Sequence, residues 1–398
     1  MTARLHVATV VTRFQAGAGT VALRGAKALD PDRFRVSIIA GGGDRLLHEA
    51  ADAGFEVRLV PSLRSEIAPR DELRALHRLT LILADDVDVV HTHSTKAGAL
   101  GRLAARRAGV PRIVHTYHGF PFHEFQSPAR RAAYVQIERR LGRITDVGLC
   151  VGTGVAVEAV RRGLLAPERV RTIGVAVDGS APACTPAGRL AARAALGVPA
   201  AALVVGAVGR LAFQKAPEHF VAALVALQRD DVVGVWIGGG ELAEAMQRIV
   251  ARVAPQVRVI LAGERADVPA LLPAFDVFAL PSRYEGLPVA IVEAMVCGIP
   301  VVATAVNAVA DVVVPGLTGL LVPPQRPDLL AGAIGYLLEH PAVAGEMATA
   351  ARMRLADRHS SERLGRALAA AYLPSAEPST AHPGVSIRKP RVKEDACA

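Results

Sequence analysis

The stretch VFALPSRYEGLPVAIVEAMVCGIPVVAT, residues 277–304, contains one complete strand–helix–strand unit. Its first residues, VFAL, and its last, VVAT, are apolar and rich in β-forming residues, which predicts two buried strands. Between them, PVAIVEAMVC begins with Pro288, which is tolerated at a first helical position, and stops before Gly298, a common helix terminator. Two buried strands joined by a helix are typical of a parallel α/β sheet.

The same alternation of strands and helices continues on both sides of this unit. Segments with helical periodicity, such as residues 74–86, separate the β-rich runs. The predicted strands cover residues 6–11, 35–40, 57–60, 87–93, 112–118, 147–151, 203–209, 232–240, 257–263, 277–282, 300–306 and 319–324. The pattern pauses at residues 172–188, where Gly, Pro, Ser and Asp cluster. Two doubly wound parallel sheets joined by a hinge are therefore predicted, with ligands bound between them at the carboxyl ends of the strands.

Composition excludes several classes of protein. Because 51% of the residues are hydrophobic and 21% are charged, the chain is predicted to be folded, apart from a Pro-rich, aperiodic tail over residues 374–398. The net charge of +9 is compatible with anionic ligands, but it carries little weight because the cations are nearly all arginine, which indicates a GC-rich coding bias. No dense Lys/Arg block interleaved with aromatic residues occurs in the body of the chain, so a nucleic-acid partner is not predicted.

Cysteine usage and hydropathy bear on the cellular compartment. The four cysteines are scattered and form no C-x-x-C pair, which predicts a reduced, cytoplasmic protein without a disulfide framework or a structural zinc. The first residues do not resemble a signal peptide, and no window holds the roughly 18 apolar residues that a membrane-spanning helix needs. Contact with a membrane is expected to be peripheral at most.

Two carboxylates stand out in the opening stretch. Glu285 falls in the loop before the predicted helix, and Glu293 lies on that helix. The backbone N–H groups of Gly286 and Leu287, together with the positive end of the helix, suit a phosphate. Carboxylates accept hydrogen bonds from vicinal hydroxyls, so this combination fits a nucleotide sugar. The alternative is that both glutamates are solvated surface residues.

Residues 285–304 closely resemble the E-x(7)-E signature of retaining family 4 glycosyltransferases, which have the GT-B fold. The resemblance extends over roughly residues 5–373 and includes several further segments in the order that the family has. These segments are GAVGRLAFQKAPE (206–218), GGGE (238–241), VPGLTGLLVPP (314–324), VVHTHSTKAGALGRLAA (89–105) and HTYHG (115–119).

This resemblance implies two facing Rossmann-like domains with a cleft between them. The implied division is an acceptor-binding domain over residues 1–176, a nucleotide-sugar-binding domain over 177–357, and a helix over 358–373 that crosses back to the first domain. The implied reaction moves a hexose or N-acetylhexosamine, with retention, from a nucleotide-diphosphate sugar, expected to be a UDP-sugar, to a hydroxyl of a carbohydrate-like acceptor. That acceptor would be an aminoglycoside-type antibiotic intermediate or a precursor of a cell-surface glycan or glycolipid. Neither a cofactor nor a divalent metal is expected to be required.

The resemblance also implies roles for individual residues. Arg210 and Lys215 would hold the donor diphosphate, Glu293 the ribose hydroxyls, and Glu285 the hydroxyls of the transferred sugar. The residues expected to take part in catalysis are His118, Arg210, Lys215 and Glu285. The donor site would further include Gly17, Gly19, Gly239, Gly286, Leu287 and Glu293, and the acceptor side would include His118, Phe120 and Phe122.

Several alternatives compete with this interpretation. Gly17-x-Gly19-x-x-Ala22 loosely fits a dinucleotide fingerprint, but the acidic residue expected after the second strand is missing. His91, His93 and His115 resemble a metal cluster, although matching carboxylates are absent and no metal site is predicted. A sugar-nucleotide epimerase of GT-B build and a non-catalytic sugar-nucleotide-binding subunit also remain alternatives.

The segment over residues 128–143 is rich in arginine and has helical periodicity. It could provide a basic amphipathic helix for a membrane surface. Tyr134, Ile137 and Leu141 nevertheless fall on a single stripe. The favoured interpretation is a buried face formed by these three residues, with solvated arginines on the opposite side.

Overall fold

The computed structural model describes residues 4–15, 17–177, 184–356 and 358–373. The predicted tail at 374–398, and residues 178–183 of the predicted hinge, lie outside the described residues.

The first sheet contains seven parallel strands in the order β3-β2-β1-β4-β5-β6-β7. Strand β1, at which the strand order reverses direction, pairs with β2 on one side and β4 on the other, so that Val7 lies opposite both Val36 and Val89. The strands are β1 Leu5–Val11, β2 Phe34–Ala40, β3 Glu56–Leu59, β4 Val89–His93, β5 Arg112–Tyr117, β6 Val147–Cys150 and β7 Val170–Thr172.

The second sheet contains six parallel strands in the order β10-β9-β8-β11-β12-β13. The strand order reverses direction at β8, which pairs with both β9 and β11. The strands are β8 Leu203–Val208, β9 Val232–Ile237, β10 Arg258–Leu261, β11 Val277–Leu280, β12 Val301–Thr304 and β13 Leu320–Val322. Two such sheets confirm the predicted α/β architecture.

Helices connect the strands of both sheets. The first set is α1 Ala18–Lys27, α2 Arg45–Asp52, α3 Pro69–Leu83, α4 Thr95–Ala108, α5 Pro128–Gly142 and α6 Thr153–Arg161. The second set is α7 Pro186–Leu196, α8 Pro217–Leu227, α9 Ala243–Val253, α10 Val268–Leu271, α11 Val289–Val296, α12 Val309–Val312, α13 Pro327–Glu339, α14 Pro341–Ala356 and α15 Ser361–Tyr372. Within the described ranges, none of them is both long and apolar enough to cross a lipid bilayer.

The described elements confirm every predicted strand and add one that the sequence did not predict. The additional strand is β7, which has only three residues and lies at the edge of the first sheet. Pro288 precedes α11 as its N-cap and is not its first helical residue, while Gly298 follows the helix with φ of +77°. The domain boundaries at 176/177 and 357/358 stay predictions.

Helix α15 returns from the second sheet to pack on the first domain. Its buried side chains Leu364, Leu368 and Tyr372 join a core cluster that includes Val7 of β1 and Val89 of β4. The Tyr372 hydroxyl also lies 2.7 Å from Nδ1 of His91 on β4. The first domain is therefore completed by a helix from the end of the described chain.

Helix α5 differs from its predicted packing. Leu141 is buried as expected, but Ile137 is 46% exposed and Val135 takes the buried position instead. Glu138 is also buried and pairs with the fully buried Arg102 of α4 at 2.9 Å. The expected stripe was wrong at Ile137 only, because Tyr134 also packs against the core. The inward position beside Ile137 is taken by Glu138 of this ion pair, which periodicity does not reveal.

We expect Leu368→Ala to lower the free energy of unfolding by about 2 to 5 kcal/mol, because it leaves a cavity between α15 and the first sheet. Thermal and urea unfolding would measure the loss. The matched control is Leu190→Ala on α7, where the side chain is 57% exposed and the change should stay within about 0.5 kcal/mol. Equal effects of the two substitutions would contradict the docking of α15.

Candidate functional site

A cavity of about 1660 Å³ lies between the two sheets. Its walls come from loops at the carboxyl ends of strands in both domains, as expected for doubly wound sheets. The first domain contributes Gly17, His118 and Phe120, and the second contributes Arg210 and Glu285. The structure thus brings predicted residues from both halves of the chain into one cleft.

Glu285 lies at the floor of this cleft and is almost completely buried. Its Oε1 accepts hydrogen bonds from Lys215 Nζ at 2.5 Å and from Ser282 Oγ at 2.6 Å. Its Oε2 accepts a bond from Gln214 Nε2 at 3.2 Å. Such a buried carboxylate needs compensating charge and hydrogen bonds. Lys215 was predicted to bind the donor diphosphate and Glu285 the transferred sugar, whereas in the structure the two side chains form one ion pair.

Gly286 lies where the loop before α11 comes close to the backbone of the first domain. A Cβ atom at this position would lie 1.7 Å from the carbonyl oxygen of His118. Only glycine allows the loop before α11 to reach the other domain in this way. The neighbouring Leu287 lines the cavity as well, although only 7% of its surface is exposed.

Glu293 lies on α11 and lines the same cavity. Its Oε1 accepts a bond from Arg24 Nη2 of α1 at 2.8 Å. This ion pair joins the two domains, and both side chains are largely shielded, with 22% of Arg24 and 15% of Glu293 exposed. Sequence reasoning examined the glycines before α1 but missed Arg24, because no local pattern marks it.

Arg210 follows β8 and leaves its side chain open to the cleft. The side chain is 62% exposed, and its nearest carboxylate is that of Glu241 at 3.9 Å. An exposed pair at this distance contributes little, so the guanidinium is available for an anionic ligand. Gly239 does not line the cavity; its carbonyl accepts a bond from Leu211 N–H at 2.7 Å and supports the Arg210 loop.

The two glycines before α1 differ in their surroundings. Gly17 lines the cavity and has φ of +44°, a conformation that favours glycine. Gly19 does not line the cavity, and a Cβ there would lie 2.9 Å from the backbone of Phe14. Gly17 is therefore placed to face a ligand, whereas Gly19 is required for packing.

The histidines predicted near the cleft form a column joined by one hydrogen bond and one ring contact. His118 Nε2 lies 2.9 Å from His93 Nδ1, and the His93 ring lies 4.1 Å from that of His91. His91 contacts the hydroxyls of Tyr372 and Thr116, each at 2.7 Å. Burial lowers the pKa of His118 to about 4 and that of His91 to about 3. These rings are therefore neutral at neutral pH, and hydroxyls occupy both nitrogens of His91.

Aromatic residues form the wall on the first-domain side. Phe120 and Phe122 line the cavity and stack with ring centroids 4.7 Å apart. His123 stacks on Tyr284 of the second domain at 4.3 Å. Tyr284 was not predicted as a site residue, although it directly precedes the first glutamate of the E-x(7)-E signature.

Comparisons with known proteins identify the family. Residues 16–180 match the model for Glycosyltransferase Family 4, and residues 202–340 match that for Glycosyl transferases group 1. Over 299 residues the chain is 32% identical to the UDP-Gal:alpha-D-GlcNAc-diphosphoundecaprenol alpha-1,3-galactosyltransferase of Escherichia coli, covering 73% of this chain and 76% of that protein. The chain belongs to glycosyltransferase family 4. Its enzymatic class is therefore that of a glycosyltransferase.

Two further similarities extend this comparison. This protein is also 29% identical over 299 residues to the alpha-D-kanosaminyltransferase of Streptomyces kanamyceticus. The match covers 71% of this chain and 76% of that protein. The crystal structure of HepE from Anabaena in complex with UDP and glucose superimposes with a TM-score of 0.81 at 21% identity, covering 92% of this chain and 98% of that chain. The predicted GT-B fold is thus confirmed.

We expect the stability of this glycosyltransferase to fall as the pH decreases from about 6.5 towards about 4. In this window histidines of the unfolded chain, with a pKa near 6.5, bind protons that folded His118, with a pKa of about 4, does not bind. His118→Gln removes one such site and should reduce the slope of the unfolding temperature against pH. Differential scanning fluorimetry at several pH values measures both slopes, and identical slopes would contradict the neutral state assigned to His118.

Proposed function

We propose that this protein is a retaining glycosyltransferase that transfers a hexosyl or N-acetylhexosaminyl group from a UDP-sugar to a hydroxyl of a carbohydrate acceptor. The observation that carries this proposal is the convergence of Arg210, Lys215, Glu285 and Glu293 in one cleft, opposite His118 of the first domain. The cations and backbone N–H groups match the diphosphate of such a donor, and the carboxylates match the hydroxyls of its two rings.

In this proposal the donor diphosphate binds against Arg210, Lys215 and the N–H groups at Gly286 and Leu287. Lys215 has three N–H donors, so its bond to Glu285 leaves others for a phosphate oxygen. The two cations stabilise the negative charge that develops on the leaving nucleotide diphosphate. A divalent metal is then not required for charge neutralisation.

Glu285 and Glu293 serve the two rings of the donor in the proposed complex. A sugar hydroxyl replaces the 3.2 Å contact from Gln214 on Glu285, and the ribose hydroxyls bind Glu293. Neither carboxylate needs to act as an acid or a base. Both instead position the donor so that its anomeric carbon faces the acceptor.

The proposed transfer proceeds on one face of the donor sugar. The bond between the anomeric carbon and the diphosphate oxygen breaks, and the acceptor oxygen bonds to the same face. The acceptor proton moves to a β-phosphate oxygen of the departing nucleotide. Neutral His118, with its pKa of about 4, is suited to a hydrogen bond with the donor sugar and not to supplying a proton as imidazolium.

The surface of α5 supports a lipid-linked glycan precursor as the acceptor. Arg130, Arg139 and Arg140 are exposed on this helix together with Ile137. Its single acidic residue, Glu138, is neutralised by Arg102 in the interior. These arginines are spread around the helix, and their positive charge favours an anionic membrane surface, where a lipid-linked acceptor would lie.

An aminoglycoside-type acceptor is the second candidate. It is supported by the 29% identity to the kanosaminyltransferase noted above, and it would require no membrane surface. The two acceptor classes can therefore be separated by adding vesicles that contain anionic lipid.

The decisive experiment incubates the protein with UDP-sugars and two acceptors, a polyprenyl-diphosphate-linked N-acetylglucosamine and a pseudodisaccharide aminoglycoside core. Mass spectrometry detects transfer, and proton NMR of the new linkage gives the anomeric configuration. We expect an α-linked product from an α-linked donor. Arg210→Ala and Lys215→Ala should each reduce turnover by about 100-fold or more at saturating donor.

Several results would contradict the proposal. A β-linked product would exclude retention, and near-normal rates for both cation variants would remove the diphosphate assignment. An interconverted free UDP-sugar would indicate an epimerase, and UDP-sugar binding without any turnover would indicate a binding subunit. Arg229→Ala is the matched control, because that partly exposed arginine pairs with Asp231 and does not line the cavity.

A further inference from the structure

Arg24 connects three parts of the molecule at the cleft. It belongs to α1 of the first domain, and its Nη2 donates to Glu293 Oε1 of the second domain at 2.8 Å. Its Nη1 donates to the carbonyl oxygen of Ala176 at 3.0 Å, in the segment that leads out of the first sheet. One guanidinium group therefore holds the connecting segment and a carboxylate of the donor cleft simultaneously.

The surroundings of Glu293 leave one of its oxygens for a ligand. Oε1 is occupied by Arg24, whereas Oε2 has no hydrogen-bond partner among the described residues. Glu293 lines the cavity with 15% of its side chain exposed. The carboxylate is thus oriented by one oxygen and presents the other to the cleft.

Arg24 also changes the charge at this end of the site. A shielded carboxylate beside a diphosphate would repel the ligand, and the adjacent guanidinium compensates for that charge. A lysine could compensate for the charge as well, but it lacks the planar fork that meets two acceptors in fixed directions.

We propose that Arg24 is a positioning residue of the donor site, supplied by the acceptor-side domain, which orients Glu293 for the ribose of the donor nucleotide. This inference rests on the proposed role of Glu293 in ribose binding. Since Arg24 and Glu293 belong to different domains, the ribose site is complete only when the domains meet. Nucleotide affinity and the closed arrangement of the two domains are therefore linked through this ion pair.

The test measures the dissociation constants of UDP and of pyrophosphate by isothermal titration calorimetry for the wild type, Arg24→Ala, Arg24→Lys, Glu293→Ala and the double variant Arg24→Ala/Glu293→Ala. We expect Arg24→Ala to weaken UDP binding about tenfold, the loss of about one charge-assisted hydrogen bond. Pyrophosphate has no ribose, so its affinity should stay within about twofold. Arg24→Lys should recover only part of the loss.

The double variant separates an effect through Glu293 from a general structural effect. In the Glu293→Ala background, Arg24→Ala should change UDP affinity by less than about twofold. Arg35→Ala is the matched control, because this first-domain arginine pairs with Asp86 at 2.8 Å and does not line the cavity. It should leave UDP affinity unchanged.

The outcomes distinguish this inference from the proposed function. If Glu293→Ala leaves UDP affinity unchanged, the ribose role itself is wrong. If Glu293→Ala weakens binding but Arg24→Ala does not, the positioning role of Arg24 alone is wrong. An equal loss of UDP and pyrophosphate affinity in Arg24→Ala would show a direct phosphate contact and would also overturn the inference.

Discussion

The close approach of two backbone segments at Gly286 is the constraint on which the rest of the site depends. The loop before α11 can face the carbonyl of His118 only because residue 286 has no side chain. A second contact of the same kind lies nearby, where a Cβ at Gly152 would come within 2.3 Å of the Ala308 side chain. The carboxylate of Asp311 also accepts a bond from the backbone N–H of Thr153 across this boundary. These contacts place residues from two separate sheets within reach of one ligand.

Charge pairing inside the protein then determines which groups remain available in the cleft. The buried charges of Lys215 and Glu285 neutralise each other, as do those of Arg102 and Glu138. The attraction within each pair offsets the desolvation free energy of the two charges, and removing one partner would leave an uncompensated charge. Arg210 differs because its side chain is largely exposed and only weakly paired. The cleft thus combines the open cation of Arg210 with a preformed ion pair that a polar ligand can share.

Local sequence patterns predicted the strands, the helix after Glu285 and the position of Glu293, because each depends on spacing within one segment. Features that depend on contacts between distant segments were not predictable in this way. Arg24 meets Glu293 across 269 positions of the chain, and the inward face of α5 is set by a partner on α4. Gly17 and Gly19 were predicted to have the same role. The structure separates them, because the backbone of Phe14 leaves no room for a side chain at residue 19.

The most direct test of this account is the turnover of Gly286→Ala compared with Gly332→Ala, a helical position where an added Cβ has no atom within 4 Å. The account predicts that the methyl group at residue 286 forces the loop away from His118 and reduces turnover by about 100-fold, since misplacement by roughly 1 Å has effects of this size. Gly332→Ala should retain full activity. Wild-type turnover in Gly286→Ala would contradict the claim that the site requires this approach of the two domains.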